Sequence, residues 1–134
     1  IWMPDRDAEA RVGLLDFQDA LFGHPAYDLV SLIEDARRDV DPALAAPLKA
    51  RFVEQAGLAD HAGFDAAYAV IGAQRNAKIL GIFVRLAKRD GKPRYLDLLT
   101  RVEGHFRNDL AHPALGPVRR WFDDYTGLLR EAGA

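Results

Sequence analysis

The feature that most limits how this chain can fold is a run of 26 residues, 64–89, that contains no proline and stops short of Gly91. Phe64, Ala67, Tyr68, Ile71, Ile79, Ile82 and Leu86 recur through it at helical spacing and form an apolar stripe. A helix of that length cannot bury its stripe alone, so other elements must lie along it. Most of those are helical too. Pro25, with Ala26, Leu29, Val30 and Ile33 behind it, predicts a helix over 25–38; Asp41 as cap and Pro42 at the first position predict a second to residue 56, closed by Gly57. Two more proline-opened helices are predicted over 93–110 and 117–131, separated by AHPALG. The opening IWM, the turn-forming PDRDAEA and the strand-like RVGLLD predict a β-hairpin. The expected fold is mainly α with one short β-hairpin.

Composition bounds the function classes. At 134 residues, 49% of them apolar, the chain suffices for one domain with its own core. Its 20 acidic and 18 basic residues are dispersed, so no footprint for nucleic acid stands out. The absence of cysteine excludes disulfides, thiolate metal sites and cysteine nucleophiles, and points to a reducing cytoplasm. Unbroken apolar runs are only a few residues, against about 18–20 for a bilayer span, so a soluble protein with no membrane partner is expected. The chain opens on Ile1 and Trp2, not methionine, which suggests a fragment.

Chemistry concentrates in GLLDFQDALFGHPAYDLVSL, residues 13–32, where Asp16, Asp19 and Asp28 fall within one turn-rich segment. Asp16 ends the β-favouring run 12–15. There its carboxylate can serve as a hard-oxygen ligand for Mg²⁺ or cap the following turn through its own backbone. Asp28 falls in the first turn of the helix opened by Pro25, where it complements the helix dipole. Asp19 orients the loop or is solvated, and His24 reads as a turn residue. Trp121, Phe122 and Tyr125 read as core anchors. His61, His105 and His112 carry no assignable role.

LLDFQDALFGHPAYDLVSL is similar to the signature IDFxxxxxGDPxxDLA of the aminoglycoside phosphotransferase and choline kinase superfamily, whose catalytic lobe is shared with protein kinases. The spacing from Asp16 through Gly23 and Pro25 to Asp28 matches, with His24 in place of an acidic residue. The strings DARRDV, QRNAKILGIF and RLAKRDGKPRYL further resemble the bacterial kinases that phosphorylate the anomeric hydroxyl of N-acetylmuramate and N-acetylglucosamine in cell-wall recycling.

The resemblance implies that residues 1–134 are the helical, acceptor-binding C-terminal lobe of a protein-kinase-like fold, without the nucleotide-binding lobe or the HxDxxxxN catalytic loop. It implies ATP as co-substrate, Mg²⁺ as cofactor and an amino-sugar acceptor. Asp16 then corresponds to the metal-binding aspartate and Asp28 to a brace of the catalytic loop. The catalytic base is expected upstream of Ile1. Because C-terminal helices form the acceptor pocket in this superfamily, Gln74 and Lys78, on the margin of the long helix's stripe, and Arg75, within it, are candidate substrate-binding residues; alternatively Arg75 joins a structural ion pair with an aspartate of the helix opened by Pro25, and Lys78 snorkels to water. Aminoglycoside, choline or homoserine acceptors are the enzymatic alternatives, and a non-catalytic helical interaction module is the alternative of a different class. Alone, the fragment is expected to be inactive and to self-associate through apolar surface left by the missing part.

Overall fold

The computed structural model describes residues 1–16, 18 and 20–126; Asp19 and the predicted last turns beyond residue 126 lie outside them. Five α-helices follow an extended N-terminal segment: α1 (Ala26–Ile33), α2 (Pro42–Gln55), α3 (His61–Asp90), α4 (Leu99–Leu110) and α5 (Gly116–Tyr125). No helix among the described residues is long and apolar enough to cross a membrane.

Local chemistry sets most boundaries. Asp41 Oδ1 accepts from the Ala43 amide at 2.8 Å and Pro42 occupies the first turn, so α2 begins as predicted. Asp60 does the same for α3 through the Gly63 amide (2.8 Å), starting that helix three residues before the predicted boundary. Gly91 ends it in the left-handed region (φ 63°), returning its amide to the Leu86 carbonyl. In contrast to the expectation of a helix through residue 38, α1 stops at Ile33. Asp35 pulls the next residues into a turn, accepting from the Arg37 amide (2.9 Å) and pairing with Arg38 (3.1 Å). The segment predicted as one helix over 93–110 begins as a 3₁₀ turn (Pro93–Leu98) and only then becomes α4.

The predicted hairpin is reduced to one antiparallel bridge, Trp2 to Val12, flanked by the bonds Met3 N–H to Arg11 C=O and Gly13 N–H to Ile1 C=O, both 2.8 Å. Its tip is occupied by a 3₁₀ turn (Ala8–Arg11), which leaves only the carbonyl of its last residue, Arg11, to the pairing.

The long helix α3 is the spine. Its N-terminal half packs Phe64 and Tyr68 against Ala26, Leu29 and Val30 of α1 and Val53 of α2. Midway, Ala69 and Ala73 meet Phe106 and Leu110 of α4 and Leu115. Toward its end Phe83 meets Val102 and Ala36, with Tyr95 against the Phe83 ring at 5.1 Å between centroids. The buried surface is therefore wider than the predicted stripe, because α1 and α4 cover different sides of α3 and enclose Ala69, Gly72, Ala73 and Asn76 as well. Arg101 of α4 fastens the α1–α2 connection: its guanidinium grips both Asp39 oxygens (2.5 and 2.8 Å) and the Ala36 carbonyl (3.1 Å), and that hydrogen-bonded cation holds the Asp39 carboxyl below its ordinary pKa. Of the three aromatics read as core anchors only Phe122 packs inward, edge-on to Phe106 at 5.1 Å. Trp121 and Tyr125 are 52% and 75% exposed, since among the described residues nothing covers the outer side of α5.

Candidate functional site

Asp16 sits where the paired N-terminal segment runs out, three residues past the last of its bonds, Gly13 N–H to Ile1 C=O. Its backbone is left-handed (φ 58°), a conformation that Asp and Asn tolerate better than most residues. The side chain is exposed and makes no hydrogen bond or ion pair to the described residues. It is thus available to a ligand from outside the chain. Mg²⁺ takes one or two carboxylates and completes its shell with phosphate oxygens and water, so a lone exposed carboxylate fits the donor set. Among the described residues no three His, Asp or Glu side chains converge to build a cage by themselves.

Downstream, His24 Nδ1 accepts from the Ala26 amide at 3.2 Å and satisfies one of the open donors at the start of α1. That capping role matches the turn reading of His24. Asp28 lies in the first turn of α1, exposed, its carboxylate near the positive end of that helix.

The three residues on α3 separate. Gln74 and Lys78 are exposed, whereas Arg75 is half-buried and donates to the Glu34 backbone carbonyl at 3.2 Å, closing the C-terminal end of α1. Arg75 therefore touches α1 through a backbone carbonyl, not through an aspartate as the ion-pair alternative had it.

A polar cluster that the sequence reading missed lies between α1, α3 and α4. Asn76 is fully buried, and Glu34 and Asp109 are 7% and 6% exposed. The Asn76 amide donates to Glu34 Oε2 (2.7 Å) and to Asp109 Oδ2 (3.0 Å), and Tyr68 borders the same groove as the two acids. Burial, followed by the neighbouring Glu34 charge, pushes the Asp109 pKa up to about 8, and the same two causes raise that of Tyr68. Glu34, Tyr68 and Asp109 line a groove of about 400 Å³ together with Lys49, Asp65 and His112. Lys49 spans its wall, 2.7 Å from Asp65 and 4.3 Å from the Tyr68 ring centre. Two signals for this cluster were present in the sequence: an asparagine in mid-helix, where it is a poor helix former, and an aspartate in the last turn of α4, where the helix dipole disfavours its charge.

Comparison with known proteins agrees with the acidic segment as the diagnostic part. Residues 3–67, which include Asp16 and Asp28, match the phosphotransferase enzyme family. The chain is 47% identical, over 93% of its length, to an N-acetylmuramate/N-acetylglucosamine kinase of Caulobacter vibrioides, covering 34% of that protein. It is 42% identical to proteins of the same name from Neisseria meningitidis, over 72% of this chain and 33% of the relative, and from Pseudomonas putida, over 63% and 26%. The chain thus spans about a third or less of the length of these curated relatives. The shared segment around Asp16 and the likeness that continues through the helical core make this chain similar to the phosphotransferase enzyme family and to these kinases.

Proposed function

We propose that this chain is the acceptor-side, metal-holding lobe of an ATP-dependent kinase that phosphorylates the anomeric hydroxyl of N-acetylmuramate or N-acetylglucosamine in cytoplasmic cell-wall recycling. The observation that carries the reading is an unpaired aspartate in a left-handed turn at the exit of the N-terminal segment, inside the region that matches the family. The names of the relatives support the amino-sugar acceptor. Asp16 is the residue that would hold Mg²⁺, which when bound neutralises the phosphate oxygens of ATP. The exposed Asp28, in the first turn of α1, is assigned to brace the catalytic loop. The base that accepts the acceptor's hydroxyl proton is assigned to the protein upstream of residue 1. Gln74 and Lys78, exposed on α3, remain the candidate acceptor contacts, with Arg75 beside them.

Asp16→Asn in the full-length protein tests this directly. Asparagine keeps the left-handed backbone and removes the charge, so the fold should melt as wild type while turnover with N-acetylmuramate drops by roughly a hundredfold or more. Undiminished turnover would remove Asp16 from the reaction. A panel of aminoglycoside, choline, homoserine and amino-sugar acceptors, followed by ATP consumption, decides the acceptor class. Absence of metal-dependent ATP turnover with every acceptor would favour the interaction module instead.

A further inference from the structure

The buried cluster of Glu34, Asn76 and Asp109 plays no part in the reading above. Its geometry is demanding. The two N–H groups of one amide reach two carboxyl groups, leaving Asn76 Oδ1 buried without a partner among the described residues, which disfavours any arrangement that does not repay it. Glu34 Oε2 and Asp109 Oδ2 are thereby held on one nitrogen, Asn76 Nδ2, and two buried carboxyl groups brought together in this way require a proton on one of them. Helix α3 makes room for this: a Cβ at Gly72 would lie 2.6 Å from Asp109 Oδ1, so only glycine lets the carboxyl group settle there. Two carboxylates so close and so dry cannot both ionise.

We propose that Glu34, Asn76 and Asp109 form a proton-held latch: a proton kept on one of the two carboxyl groups lets Asn76 tie the C-terminal end of α1 to the last turn of α4 across α3, and its loss opens the groove that both acids line.

The groups facing the pair come from every neighbouring element. From α2, Lys49 lowers the Asp109 pKa through its charge, but that ammonium is engaged by Asp65 at 2.7 Å. From α3, Tyr68, its pKa raised by burial, keeps its hydroxyl proton beside the pair; Arg75 is directed to the Glu34 backbone carbonyl. After α4, His112 lines the groove and has its Nδ1 engaged by the Ala114 amide (3.2 Å). The counter-ion work between the two acids is therefore done by the proton itself. Once that proton leaves, two anions face each other beside a groove that admits water, and separation of α1 from α4 relieves the repulsion.

The sign of the pH dependence follows. The folded pKa of Asp109, about 8, lies above the ordinary aspartate value of about 3.9, so the native state holds a proton that the unfolded chain releases. The latch's contribution is fully present below about pH 4, declines as the pH rises, and is gone above about pH 8.

The test compares full-length wild type with Asp109→Asn, which keeps a donor toward Glu34 and cannot ionise. Melting midpoints are recorded from about pH 5 to about pH 9, together with amide hydrogen exchange at residues 33–36. The wild-type midpoint should fall by several degrees relative to the variant across that range, and exchange at the end of α1 should accelerate beyond its intrinsic pH dependence in wild type only. A midpoint difference that stays constant with pH overturns the latch. If the variant does not fold, a carbon-detected NMR titration of the Asp109 carboxyl in wild type still decides: a midpoint in the ordinary carboxylate range refutes it, and one near neutrality or above supports it.

Discussion

Gly72 is an exacting position because what it makes room for is buried. Its lack of a side chain admits a buried carboxyl group, so Gly72→Ala should destabilise the protein by about 1–3 kcal/mol as the Asp109 side chain is forced off Asn76, measured as a lower urea midpoint at an unchanged slope. Arg75 separates structure from binding. Arg75→Ala removes a donor from the Glu34 carbonyl and should cost about 1 kcal/mol, whereas Lys78→Ala, at an exposed position, should leave stability alone. Sugar KM measured on both full-length variants then reports acceptor contact: a rise in soluble, folded Lys78→Ala places that ammonium at the acceptor, and unchanged values in both take the pair out of the pocket. None of these burial relations is visible from the residue names. Arginine and lysine three apart on one helix look interchangeable until a second helix ends against one of them.

At the scale of elements, caps and packing contribute unequally. Asp41→Ala deletes the side-chain bond that opens α2 and should cost about 1 kcal/mol, read by thermal melting. Phe106→Ala should cost about 3–5 kcal/mol, because its ring is buried between α3, α5 and Leu115, where little can collapse into the void. The contrast explains which parts of the fold were legible beforehand. Caps are local: Asp41, Gly57 and Gly91 announced the ends of α2 and α3 through turn chemistry that needs no partner. The end of α1 was misjudged because the apolar period allowed the helix to continue, and the competing Asp35 turn is reinforced from elsewhere by Arg101 on the Ala36 carbonyl. The hairpin was overdrawn for a related reason, since alternation cannot show that a 3₁₀ turn will take residues away from the ladder.

The whole molecule is asymmetric in how well it is covered. The helical part encloses three joined apolar clusters, while Trp2, Leu14, Leu15, Leu21 and Phe22 of the N-terminal segment stand largely in solvent. Such a concentration of bare apolar side chains should make the 134-residue chain associate with itself. Sedimentation velocity should show concentration-dependent species that Leu21→Lys with Phe22→Lys reduces; a wild-type monomer at all concentrations would contradict the expectation. By itself the sequence determined the helical class, the dominance of one long helix, most helix ends and the family-bearing segment around Asp16, because periodicity, capping and motif spacing are properties of neighbouring residues. Only the tertiary structure decided that α3 is buried on more than one side, that Arg75 closes α1, and that Glu34, Asn76 and Asp109 meet. Those residues are 33 to 75 positions apart in pairs, and their chemistry exists only when packing removes the water between them.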